Sequence, residues 1–157
     1  MSTSVEVVSR VETALKSWTP ARWYLLASVL FLLPAGINGL LVNQNFSVGT
    51  AAKQPGASDM VFGVLETNGW HSTAALVNGI VALGLLCLAS DRVARIGALN
   101  IGIGLAVLTI ALMIPRSIDL LGNVIASNFA DNVTHAAQAL GGIVTGLIGR
   151  GAAQRIE

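Results

Sequence analysis

The sequence predicts an all-α fold, a four-helix transmembrane bundle of two parallel two-helix repeats, preceded by an interfacial amphipathic helix. Three observations predict it. Runs without a charged side chain cover Trp23–Val42, Gly69–Ser90 and Ile96–Pro115, and in a fourth, Val133–Gly149, the one ionisable group is His135. Each run approaches the ~20 residues that cross a ~30 Å hydrocarbon layer as a helix. Second, 54% of the 157 residues are apolar and only 11% charged, with a mean hydropathy of +0.72. A soluble domain carries about 25% charged residues, so these side chains cannot clothe a water-facing surface. Third, two of the runs open on the same polar signature, Asn-x-x-His, at Asn68/His71 and Asn132/His135.

Taken in order, residues 1–20 form the cytoplasmic amphipathic segment. Thr3-x-x-Glu6 has capping-box spacing, and Val5, Val8, Val11, Leu15 and Trp18 make one apolar stripe that rests on the inner leaflet. Thr19-Pro20 then starts a new helix. Residues 21–150 are the membrane domain, with spans at about 23–42, 69–90, 94–115 and 132–149. The first run is too long for the ~7–15-residue apolar core of a signal peptide and reads as a retained span. Pro34 predicts a kink within it. A few residues around Ser90-Asp91 join spans 2 and 3 as an antiparallel hairpin. In the long loops, Met60, Val61, Phe62, Val64 and Leu65, and then Ile118, Leu121 and Ile125, read as short interfacial helices. Residues 151–157 are a cytoplasmic tail.

Arg10, Lys16, Arg22, Arg92, Arg95, Arg150 and Arg155 fall on one side of these spans, against Lys53 and Arg116 on the other. This bias places both termini of a multi-pass plasma-membrane protein in the cytoplasm. Cys87 is the lone cysteine and reads as a small core hydrophobe. Small residues line two helix faces, Ala98-x-x-x-Gly102-x-x-x-Ala106 and Gly142-x-x-x-Gly146, suited to close packing within the bundle.

The two signatures extend into a weak internal duplication. Asn68-Gly69-Trp70-His71 aligns with Asn132-Val133-Thr134-His135, Ala75-Leu76 with Ala139-Leu140, and Gly79-Ile80-Val81 with Gly142-Ile143-Val144 after one residue of offset. Asp131-Asn132-Val133-Thr134-His135 is similar to the Asp-Asn-x-x-His signature before span 4 of the domain of unknown function 4383 family, small four-span actinobacterial membrane proteins. Asn68-Gly69-Trp70-His71 resembles half of that family's signature before span 2, which is often doubled there, whereas this chain has Ala74 and Ala75. The resemblance covers roughly residues 23–149 and implies a four-span fold without implying an activity.

Two uses of the signatures compete. In the first, Asn68 and Asn132 (or Asp131) cap their helices, and a neutral histidine one turn on ties a loop to the bundle. In the second, His71 and His135 face each other across neighbouring helices and bind haem iron or a metal. The remaining polar residues of the spans, Asn38, Asn78, Asn100 and Gln138, serve as interhelical glue or outline a path for a small solute. No phosphate loop, nucleophile elbow, HExxH or buried carboxylate pair speaks for an enzyme. A net charge of +1 without a basic cluster excludes nucleic acid as a partner. The expected role is structural or accessory, alone, self-associated or within a larger membrane complex, in contact with the lipid bilayer and without a cofactor. Haem or metal binding is the alternative, and a passive conduit comes third.

Overall fold

The structure, a computed structural model, describes residue 8, residues 18–113 and residues 124–148. The N-terminal amphipathic stripe beyond Val8 and Trp18, the pair Ile118 and Leu121, and the tail after residue 148 lie outside the described residues. Four helices dominate the rest: α1 (Pro20–Val42), α2 (Gly69–Leu88), α3 (Asp91–Met113) and α4 (Phe129–Ile148). Helix α1 begins with Pro20 in its first turn, where a missing N–H costs nothing, and runs unbroken through Pro34. Among the described residues α1, α2 and α3 are long and apolar enough to cross a membrane. Helix α4 falls outside that class because Asp131, Asn132, His135 and Gln138 occupy its first half.

The segment between α1 and α2 differs from the interfacial helix expected of it. After a 3₁₀ turn (Gly49–Lys53) it forms an antiparallel hairpin, β1 (Asp59–Val61) with β2 (Leu65–Thr67), in the register Asp59↔Thr67, Met60↔Glu66 and Val61↔Leu65. Phe62 and Gly63 both have positive φ, 54° and 72°, and Val64 N–H donates to Val61 O at 3.2 Å. Two successive left-handed residues make the turn that matches strand twist and cannot continue a helix. Val61 is buried and Phe62 and Val64 are exposed. In the second loop Ile125 sits in a bend and not in a helix.

The packing inverts the pattern of a water-soluble bundle. Small residues such as Ala82, Ala94 and Ala98 are buried at 0% exposure beside Leu25, whereas the large apolar Leu30, Ile80, Val107 and Leu140 are 56–66% exposed. The dominant interfaces are α1 with α2 and α3 with α4. Ala89 and Ser90 turn the chain from α2 into α3, yet those two helices touch little, so the expected tight hairpin between them is splayed. Close backbone approach explains the choice. A Cβ on Gly102 would sit 2.6 Å from Ile143 N, and one on Gly36 would sit 2.6 Å from Leu76 N. Dispersion between backbones that near is the main attraction open to helices without a hydrophobic effect between them. Cys87, expected in the core, is exposed on α2, because the outward faces here are the apolar ones.

At the end of the bundle away from the hairpin, Arg22 holds three helices together. Its guanidinium donates to Leu86 O at 2.7 Å and Ala89 O at 2.8 Å, carbonyls at the end of α2, and to Asp91 Oδ1 at 2.6 Å at the start of α3. Asp91 is 58% exposed, so the ion pair itself contributes little. The fork on the two otherwise unpaired carbonyls matters more. Arg22→Lys, with the charge but not the fork, is expected to cost about 1–2 kcal/mol. A detergent unfolding titration measures it; an unchanged midpoint would show that charge alone suffices.

Candidate functional site

The chemistry-bearing residues gather where the hairpin meets the first turns of α2 and α4. Asn68 precedes α2 with extended backbone, and its Oδ1 accepts the His71 N–H at 2.9 Å, a side-chain N-cap. Its Nδ2 donates to Val124 O at 2.7 Å, so a side chain 2% exposed has both ends satisfied. Thr67 and Ser72 hydroxyls bond at 2.7 Å beneath it. Trp70 Nε1 donates to Phe46 O at 2.9 Å, and the two rings meet edge to face at 5.2 Å.

Helix α4 is capped one turn earlier than the sequence reading placed it. The cap is Asn128, whose Oδ1 accepts the Asp131 N–H at 3.0 Å while Asp131 Oδ2 accepts the Asn128 N–H at 2.9 Å. This reciprocal pair is a capping box built from Asn and Asp. Asn132 therefore stands inside the helix, not at its cap; its Oδ1 is buried without a hydrogen-bond partner. Asp131 is the third residue of the helix, and its Oδ2 also accepts the Glu66 N–H at 2.9 Å, binding β2 to α4. Asp131 is 2% exposed. Asn128 Nδ2 reaches Val64 O at 2.9 Å. Asn128 was missed although Asn128-Phe129-Ala130-Asp131 has capping-box spacing, because the repeated Asn-x-x-His drew the cap toward residue 132.

The two histidines come together. Their ring centroids are 5.5 Å apart at an interplanar angle of 56°. His71 Nδ1 lies 3.0 Å from Glu66 O and 2.8 Å from Ala126 O. Both are acceptors, so Nδ1 carries a proton. Buried His135, 8% exposed, leaves Nδ1 without a hydrogen-bond partner. A cavity of about 60 Å³ adjoins the pair, with His71, His135, Asp131, Thr67, Ser72 and Asn78 in its wall. That space holds a few waters at ~10–15 Å³ each. A porphyrin does not fit it. Among the described residues no group of three or more His, Cys, Asp or Glu could hold a metal ion, which leaves the two imidazoles as the available ligands.

The other intramembrane amides do not converge. Asn78 is exposed and donates to its own helix at Ala74 O, 2.8 Å away, a reading as local satisfaction rather than glue. Asn38 is half-buried on α1 and Asn100 exposed on α3, and neither lines this cavity. Gln138 lies in a separate groove between α1 and α4.

No curated protein matches the chain, and no solved structure matches it. A family model does, the one described as a domain of unknown function, DUF4383, over residues 22–148. With most of its length inside that match, including all of α2, α3 and α4 and all but the first two residues of α1, the chain belongs to this family.

Proposed function

We propose that the protein is a four-span plasma-membrane protein with cytoplasmic termini, two parallel two-helix repeats and a structural or accessory role, alone or in a larger complex. The distribution of side chains on α4 supports the fourth span. Its polar residues Asp131 and His135 are buried, while Val133, Leu140, Val144 and Leu147 are 40–64% exposed. A helix that is polar inward and apolar outward suits lipid despite its modest mean apolarity. Preferential packing of α1 on α2 and α3 on α4 supports the paired repeats. The observation that carries the accessory reading is how Asn68, His71, Asn128 and Asp131 are used: each bonds the hairpin or the 124–128 segment to a helix end. Groups committed to holding a rigid cap are not free for turnover.

Impermeant maleimide labelling tests the topology. In a Cys87→Ser background, Gln54→Cys should react in intact cells and Arg92→Cys only after permeabilisation; the reverse pattern overturns the orientation. Purification from native membrane under mild detergent tests the accessory role. A discrete heteromeric assembly is expected, and recovery of an isolated chain alone counts against the larger complex.

A second reading rests on the 5.5 Å approach of the imidazoles, with His71 Nε2 and the unpaired Nδ1 of His135 both available. A metal favouring two nitrogen ligands suits them. Stoichiometric metal in the purified protein, lost in His135→Phe, supports that reading; a metal-free preparation that stays so after dialysis against copper or zinc removes it.

A further inference from the structure

We infer that the groove between α1 and α4 binds an uncharged lipid bearing a hydroxyl group, an inference that rests on the membrane reading above. The groove encloses about 470 Å³ and is lined by Tyr24, Ser28 and Phe31 of α1 and by Thr134, Gln138 and Gly141 of α4, with Ala27, Val133 and Ala137 at its mouth. That volume lies within the range of ligand pockets, ~300–1,000 Å³. Beside it α1 and α4 approach closely: a Cβ on Gly141 would stand 3.2 Å from the Tyr24 ring.

Depth and chemistry select the occupant. Tyr24 to Phe31 are the fifth to twelfth residues of α1, about 6–17 Å from its first residue at 1.5 Å per residue, well inside the bundle. The mouth is formed by exposed Ala27, Val133 and Ala137, so the groove opens sideways, toward lipid and not toward either aqueous end. Among the described residues no Asp, Glu, Lys or Arg lines it, which leaves a charged headgroup without a counter-ion there. Of the oxygens on its walls, Gln138 Oε1 has no hydrogen-bond partner, and the buried hydroxyls of Tyr24 and Ser28, one helical turn apart, have at most each other. Tyr24 is 9% exposed and Ser28 is 3%. Buried polar groups are almost always paired, and in hydrocarbon no water is at hand to pair them. The set mixes two hydroxyls, which donate and accept, with an amide oxygen that only accepts. A ligand hydroxyl answers both roles, and an apolar chain fills the rest. A phospholipid would have to drag its charged headgroup out of the interface to reach this depth.

The full-length protein in nanodiscs, exposed to a long-chain alcohol carrying a diazirine, tests the site. Photolabelling should map to α1 and α4 at the groove, and the unlabelled alcohol should compete while its methyl ether competes poorly. Ala137→Leu, which fills the mouth from an exposed position, and the pair Ser28→Ala with Gln138→Leu should each lower labelling roughly tenfold. Uniform labelling of all lipid-facing helices, or equal competition by the ether, overturns the proposal. So does crosslinking of α1 to α4 of a second copy across the groove. Resistance of the same samples to alkaline carbonate extraction reports membrane integration separately, so loss of the groove is distinguishable from loss of the membrane reading.

Discussion

Gly102→Val is expected to destabilise the bundle by about 3 kcal/mol or more, the upper end of overpacking effects. The first added carbon would stand 2.6 Å from Ile143 N and 2.8 Å from both Ala139 O and Gly142 C. These are backbone atoms of α4, which no rotamer change can move aside, and Gly142 meets Gly102 reciprocally at 2.8 Å. Relief comes only from separating α3 and α4, at the expense of the whole interface. Gly104, two residues on, is the internal control: nothing lies within 4 Å of a Cβ there. Gly104→Val should shift stability by less than about 0.5 kcal/mol, since both variants change helix propensity alike. Unfolding in a mixed-detergent titration reads the difference. Equal effects at 102 and 104 would mean that the close crossing does not hold the two helices.

Asp131→Ala should cost about 2–4 kcal/mol, because it strands the Glu66 and Asn128 amides and opens the capping box in one step. Asp131→Asn retains an acceptor oxygen at the same place. Both amides bond the one oxygen, Oδ2, so loss of the charge alone should cost about 1 kcal/mol or less. Hydrogen exchange sharpens the test: the Glu66 amide, bonded to Asp131 at 2.9 Å, should exchange far faster in the alanine variant and near the parental rate in the asparagine variant. Similar collapse of both variants would assign the role to the charge and not to the acceptor.

Several elements were legible before any coordinates. Apolar runs located all four helices, since a ~20-residue stretch without charge has few other solutions. Asn68 was recognisable as a cap from its place before Gly69. Val61 to Leu65 was not legible as a hairpin: five largely apolar residues have no period, and the turn depends on Phe62 adopting a positive φ that its side chain disfavours. Asn132 was misplaced because internal similarity between Asn68 and Asn132 competed with the local Asn128-x-x-Asp131 spacing, and hydrogen-bond geometry favours the local pair.

The sequence by itself determined where the four helices fall, the charge asymmetry of the segments joining them and the residue types at the helix starts. All follow from local composition and from the need to satisfy every backbone group within a segment. Tertiary structure alone decided that α1 packs on α2 and α3 on α4, that Arg22 caps α2, that His71 meets His135 at 5.5 Å, and that a groove lined by Tyr24, Ser28 and Gln138 lies between α1 and α4. These depend on which small-residue faces approach closely enough for their backbones to touch. Hydropathy carries no such information, because every outward face is equally apolar.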